Sequence, residues 1–355
     1  MLDKATSIRP GEEFDVSALT TYLREHWPGF EDISDIHQFP GGYSNLTYLL
    51  VTNLGEFVLR RPPIGANIQS AHDMSREFKV LSLLSPVYEK SPTPVLHCGD
   101  ASVIGAPYFI MERVNGIILR GHTISEVSPS ADEMHALSIA TIDNMVALHQ
   151  LDIRHSGLME LGKPEGYVAR QIGGWIDRYY KSATEVIENM DRVTQWLQLN
   201  EPADGSPTLI HNDYKYDNLV LNPDNLAQIE AVLDWEMATI GDPLMDLGTT
   251  LAYWSEPHEA KALPLAAAIP TWLPGNLNRE ELVARYAVRS GRDVSNILFY
   301  FVYGTFKVAV IVQQIYARYK KGLTKDPRFA SLIDAVHFFA GQAVKAIEAK
   351  RISNL

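Results

Sequence analysis

The chain has 355 residues and a mass of 39.7 kDa, more than a single hydrophobic core usually serves, so two domains or one domain of two lobes are expected and a minimal single fold is excluded. Hydrophobic residues make up 46% of the chain and charged residues 21%, ordinary globular usage that excludes a disordered chain. The net charge of -12 repels a phosphate backbone, so no nucleic-acid partner is expected, and a bound phosphate must meet a local cluster of cations or a metal.

The first fifteen residues alternate charge with small side chains and hold no apolar run, which predicts no signal peptide. Up to residue 114 the pattern is mainly that of strands. Asn45 to Thr52 is rich in β-formers, Asn53-Leu54-Gly55 supplies a turn, and Glu56 to Arg61 completes a hairpin. Ser70 and Asp73 have capping-box spacing, and Met74, Leu81 and Leu84 repeat at helical intervals behind them, so one helix is expected to cross the strands. Pro94 to Cys98 and Pro107 to Val114 add two strands, making residues 1–114 a first lobe built on a small antiparallel sheet. Cys98 is the single cysteine, which excludes an internal disulfide or a zinc knuckle and fits a reducing compartment; a cytoplasmic protein is expected.

Residues 115–355 read as a second, mainly helical lobe, with candidate helices at 131–150, 166–199, 243–254, 279–290, 293–321 and 328–349. The most apolar stretch, Ile297 to Ile315, is interrupted by Gly304, Thr305 and Lys307. It falls short of the ~20 clean apolar residues of a membrane span, so a buried helix and no membrane partner are expected. The fold class is α+β. One exception breaks the helical pattern: two short apolar runs, Asn218 to Leu221 and Ile229 to Trp235, joined by the turn Asn222-Pro223-Asp224-Asn225.

That hairpin is framed by His211-Asn212-Asp213-Tyr214-Lys215-Tyr216-Asp217-Asn218 on one side and Asp234-Trp235-Glu236 on the other. Phosphoryl transfer needs a carboxylate to orient a hydroxyl, oxygen ligands for Mg²⁺ and positive charge on the phosphates, and the two segments hold all three. The form His-x-Asp-x-Lys-x-x-Asn parallels the catalytic loop of protein kinases, with a second Asp after the hairpin. Here the chain resembles the aminoglycoside phosphotransferase and choline-kinase-like family, whose loop is His-x-Asp-x-x-x-x-Asn. Within it, LDWEMATIGDPLMDLG from Leu233 to Gly248 is most similar to the kinase-like domains related to those joined to acyl-CoA dehydrogenases. The resemblance implies a protein-kinase-like, two-lobed fold and the cofactors ATP and Mg²⁺. It implies Asp213 as the base or hydroxyl-orienting group, Asn218 and Asp234 as Mg²⁺ ligands, Lys215 near the γ-phosphate, and a structural His211.

The first lobe offers an independent check. Strand alternation puts Val58 and Arg60 on one face and turns Arg61 away, while helical spacing puts Glu77 on the inward face between Met74 and Leu81. A carboxylate there wants a cation, and Arg60 is its natural partner, where protein kinases use Lys. Pro40-Gly41-Gly42-Tyr43-Ser44-Asn45 lies at the turn where a nucleotide loop belongs; Gly41 and Gly42 would let backbone amides approach phosphates, with Ser44 beside them, although a plain turn explains the same residues. The resemblance would also have the Glu112 carbonyl and the Val114 amide read adenine. Asp242 before Pro243 reads as a helix cap, Asp246 as an acceptor for the loop backbone, and His149 as a satisfied core histidine.

Only the six residues Trp235 to Ile240 separate Asp234 from Gly241, too few for a peptide platform, so a small hydroxylated metabolite is expected as acceptor and no obligate protein partner is inferred. Arg170, Trp175, Arg178, Tyr179, Tyr180 and Lys181 mix aromatic and cationic groups fit for an acidic or acyl-bearing alcohol, such as a hydroxy acid or hydroxyacyl thioester; an amphipathic surface helix explains them equally well. Two rival readings are a catalytically silent nucleotide- or metabolite-binding module and a metal-dependent phosphohydrolase.

Overall fold

The computed structural model describes residues 4–40, 45–63, 73–263, 265, 268–324 and 327–355. The small lobe begins with α1 (Val16–His26), capped by the Asp15 side chain on the Ala18 amide. A five-stranded antiparallel sheet follows, built from β1 (Ile33–Gln38), β2 (Leu46–Thr52), β3 (Gly55–Arg61), β4 (Pro94–Cys98) and β5 (Tyr108–Glu112) in the order β1-β2-β3-β5-β4. Period-two alternation divides it into two apolar faces. Tyr48, Leu50, Leu59 and Ile110 pack on Leu19 and Leu23 of α1. Val58, Phe109 and Met111 pack on the other side with α2 (Met74–Leu84). The cap of α2 is Asp73 itself, accepting from the Ser75 and Arg76 amides; Ser70 lies outside the described residues. Sequence reading missed α1, and also β1, an edge strand whose exposed residues show no clean alternation.

The large lobe holds α3 (Ile124–Val127), α4 (Ala131–His149), α5 (Tyr167–Ser182) and α6 (Glu188–Leu199). The single helix expected over 166–199 is thus two, because Gln313 claims the Ser182 carbonyl and Thr184 hydroxyl where α5 ends. Next come β6 (Thr208–Ile210), the hairpin β7 (Leu219–Asn222) and β8 (Asn225–Val232), and β9 (Thr239–Gly241), which pairs with β6. Helices α7 (Pro243–Tyr253), α8 (Pro257–Ala262), α9 (Arg279–Ser290), α10 (Ile297–Lys320) and α11 (Leu332–Ala349) complete the lobe.

By length and composition α10 could cross a membrane, but 78% of its most apolar window is buried inside the protein, as the core of the large lobe. It packs between α7, α11 and α5. At its crossing with α7 two glycines meet: a Cβ on Gly304 would lie 2.1 Å from the Gly248 carbonyl oxygen, and one on Gly248 equally close to that of Tyr300. The backbones touch because neither residue has a side chain.

Candidate active site

The site lies where the β7–β8 hairpin meets the small sheet. Its loop begins at His211, fully buried, which donates from Nε2 to the Leu233 carbonyl at 2.9 Å and accepts at Nδ1 from the Asp213 amide at 3.2 Å. That tautomer makes His211 a strut between the two chemistry-bearing segments. The loop backbone is clamped from α7, where Asp246 accepts from the amides of His211 at 2.8 Å and Asn212 at 2.7 Å. Burial opposes the Asp246 charge, but bonds from His149 and the loop amides outweigh it and hold its carboxyl below the usual range. His149 is satisfied on both nitrogens, by Asp246 and Tyr286. Asp242 caps α7 through the Leu244 amide.

This clamp holds Asn212 in the left-handed region at φ 67, turning the next residue, Asp213, into the cleft. Both oxygens of Asp213 receive Lys215 Nζ, at 2.8 and 3.0 Å. Burial lowers the affinity of Lys215 for its proton, but Asp213 more than restores it, so the lysine stays charged. Asn218 Nδ2 donates to the carbonyl of Asp213 at 2.9 Å and to its side chain at 3.0 Å, which leaves the Asn218 carbonyl oxygen available to a cation.

Across the cleft, Arg60 Nη1 donates to Glu77 at 2.7 Å and Nη2 to Asp234 at 3.0 Å, with Glu236 at 3.8 Å. The pairing of Arg60 with Glu77 is the one that strand alternation and helical spacing predict. Arg61 points to the other face, bonded to Tyr48 and to the carbonyls of Glu12 and Ile104. Asp234 also adopts the left-handed region, at φ 69. Burial works against its charge, but Arg60 prevails and keeps the carboxyl below its ordinary range. Burial pushes Glu77 up to about 7, and burial with Asp234 pushes Glu236 up to about 8. Asp234 is therefore the carboxylate of the three most firmly held ionised.

Two observations bear on a nucleotide and its metal. Arg60 Nε is buried and has no hydrogen-bond partner among the described residues, leaving a donor for a phosphate oxygen. Asp234, Glu236 and the Asn218 carbonyl supply hard oxygen donors of the kind Mg²⁺ takes. Among the described residues no group of three or more His, Cys, Asp or Glu is placed to hold a metal ion. Val58 lies buried under the sheet, and Val114 packs with Ile118, Val220 and Ala231 in a small apolar cluster between the lobes. Glu112 closes β5, with its amide on the Thr93 carbonyl. Gly41, Gly42 and Ser44 lie outside the described residues.

Beside Asn212, the residue that precedes Asp213, opens a cavity of about 310 Å³, with Trp175 and Tyr167 in its wall. Arg76, Lys163, Arg170, Arg178 and Lys307 bring cations to it, and Glu236 a carboxylate. Of the six residues singled out in the sequence, Arg170, Trp175 and Arg178 reach this cavity. Tyr179 instead packs on Phe306, Tyr180 bonds Asp191, and Lys181 pairs with Asp177 on the surface. Gln171, Trp175 and Arg178 of this lining share a face of α5, from which Tyr180 turns away. Sequence reading gave no role to Lys307 or Glu236. A lysine inside an otherwise apolar run was the available signal for the first.

A small antiparallel sheet crossed by a helix with one inward-facing Glu, set over a helical lobe that carries an Asp-bearing loop, defines a two-lobed kinase-like fold. The chain is accordingly a member of the phosphotransferase enzyme family, whose model matches residues 35–281. It is 36% identical to acyl-CoA dehydrogenase family member 11 of Rattus norvegicus over 324 residues, 89% of this chain and 41% of that protein, so it spans about two fifths of that relative's length. A Ralstonia eutropha JMP134 structure, considered an aminoglycoside phosphotransferase, superposes with a TM-score of 0.79 at 29% identity, covering 95% of this chain and 99% of the other. The choline kinase of Cryptosporidium parvum Iowa II shares the fold, with a TM-score of 0.65 at 12% identity over 96% of this chain and 98% of its own.

Proposed function

We propose that the protein is an ATP- and Mg²⁺-dependent kinase that transfers the γ-phosphate to a hydroxyl of a small metabolite. One observation carries this reading: Arg60 is held between Glu77 and Asp234, at the interface between the small sheet and the Asp213 loop. Arg60 takes phosphate oxygens through its planar fork, and Glu77 fixes its orientation. Asp213 accepts the acceptor hydroxyl's hydrogen bond and then its proton. Lys215 holds that carboxylate in place and sets positive charge beside the transferring group. Asp234 and Asn218, with Glu236 beside them, hold Mg²⁺, which when bound neutralises charge on the phosphates. Val58 would cover an adenine and the backbone of Glu112 and Val114 would read its edge.

The acceptor occupies the cavity lined by Asn212, the residue before Asp213. Its cationic wall supports an acidic or acyl-bearing alcohol, a hydroxy acid or hydroxyacyl thioester, and the similarity to a protein named for acyl-CoA dehydrogenation supports the thioester. The test is transfer of labelled γ-phosphate from ATP to a panel of diols, hydroxy acids, hydroxyacyl thioesters and aminoglycosides. Magnesium-dependent labelling of a hydroxy acid or its thioester is expected. ATP hydrolysis at one rate with or without every acceptor would make the protein a phosphohydrolase instead, and no turnover at all a silent binding module.

A further inference from the structure

Lys307 on α10 is 1% exposed, yet its ammonium forms part of the acceptor cavity. Nζ donates to the Asn212 carbonyl at 2.8 Å, lies 3.5 Å from Asn212 Oδ1, and stands 5.7 Å from the centroid of the Trp175 ring. An ammonium has three donors and a full charge. Each of these contacts is to a neutral group, and Lys307 forms no salt bridge among the described residues.

The acids around it are committed elsewhere. Asp246 on α7 accepts from two loop amides and His149, Asp213 from Lys215 and Asn218, and Glu236 from Asn45 at 2.7 Å. Lys215 of the loop and Arg178 of α5 face it with like charge. A buried charge without a partner is costly, and such a cost is kept where a ligand brings the opposite charge. The strain is visible in Lys307 itself: burial, aggravated by Lys215 and Arg178, pushes it down to about 8 against the pull of Asp213 and Asp246.

We propose that the missing counterion of Lys307 is an oxyanion of the acceptor, a carboxylate or phosphate oxygen, which makes Lys307 the residue that selects acidic acceptors. The assignment rests on the cavity being the acceptor site of the kinase described above. Through its bond to the Asn212 carbonyl, Lys307 also ties the bound anion to the residue that precedes Asp213.

Calorimetry on the full chain tests this with a short ω-hydroxy acid, the diol of the same length and inorganic phosphate, in buffers of different ionisation enthalpy near pH 8, where Lys307 titrates. An anion that pairs with Lys307 raises its proton affinity, so binding of the acid takes up about half a proton while the diol takes up none. Lys307→Met is expected to weaken the acid ~10- to 100-fold and to abolish the uptake, the range of a charge-assisted hydrogen bond. Lys307→Arg keeps the binding without the uptake. Uptake with the hydroxy acid alone identifies a carboxylate site, and uptake with inorganic phosphate identifies a phosphate site. Equal binding of acid and diol, or uptake that survives Lys307→Met, overturns the proposal. Should Lys307→Met fail to fold, the contrast between acid and diol in the wild type and the proton count of Lys307→Arg decide it. Absence of phosphate transfer from ATP to every acceptor would defeat the kinase reading while leaving these binding results standing.

Discussion

Asp213 sits in a web of donors, with Lys215 on both oxygens and Asn218 on one. Asp213→Asn keeps the shape of the side chain and removes its basicity, so transfer should fall ~10²- to 10⁴-fold with nucleotide affinity nearly unchanged. Steady-state kinetics and nucleotide titration check it, and a loss of only a few-fold would take Asp213 out of the chemistry. Lys307 gives a prediction about stability. Its folded value of about 8 lies below the ordinary 10.5 of a lysine, so between these pH values the unfolded chain binds a proton that the folded protein does not. Stability therefore rises with pH across that window, and the wild type should gain up to ~3 kcal/mol relative to Lys307→Met between pH 8 and 10.5. Urea unfolding at the two ends of the window measures the gain, and parallel curves for the two proteins would contradict it.

At the scale of elements, an ion pair joins β3 to α2 beside their apolar contact, and the Asp246 carboxylate and Thr250 hydroxyl join α7 to the loop. Arg60→Ala and Glu77→Ala each break the same network, so a double-mutant cycle on catalytic efficiency should show coupling of ~0.5 to 3 kcal/mol. Strict additivity, with both variants folded, would separate the two residues functionally. Asp246→Ala strips the acceptor from two buried amides and His149, and should cost at least ~2 kcal/mol in thermal or urea unfolding. Because the folded Asp246 carboxyl is held below its unfolded value, its contribution is fully present above the ordinary carboxylate range near ~4 and is lost as pH falls through the depressed value. The Asp246→Ala protein should therefore lack that part of the acid-induced decline. These elements were legible in the sequence because their signals are local. Alternation placed Arg60, helical spacing placed Glu77, and the hairpin with its flanking acids lies within a few dozen consecutive residues. The rest of the acceptor wall was less legible: Arg76, Lys163 and Lys307 come from distant segments, and only packing brings them to Arg170, Trp175 and Arg178. The break between α5 and α6 was hidden for the same reason, since the group that takes over the Ser182 carbonyl is on α10.

On the scale of the whole molecule, the proposed nucleotide and acceptor sides draw largely on different elements. The small sheet and the β7–β8 hairpin carry Arg60 and the loop acids, while α5 and α10 supply much of the cavity wall, to which Arg76 of α2 and Glu236 also contribute. Their relative placement depends on the crossing of α7 and α10, where Gly248 and Gly304 touch backbone to backbone. Lys307 follows Gly304 by three residues, on the same face of the helix, and Asp246 precedes Gly248 by two. Gly304→Ala would force a methyl group against the Gly248 carbonyl and push the helices apart, at ~1 to 3 kcal/mol of stability. Acceptor binding should weaken more than nucleotide binding in that variant; titrations of both ligands test this, and equal losses would argue against it.

A contact between bare backbones has no rotamers, so the spacing at this crossing does not adjust when neighbouring side chains change. The floor of the cavity is fixed, whereas Arg170 and Arg178 project from the exposed part of α5 and bear no load in the core. On the proposed kinase reading, the architecture separates inheritance of the chemistry from choice of the acceptor: the wall can be rewritten one side chain at a time while the spacing of α7 and α10 stays constant.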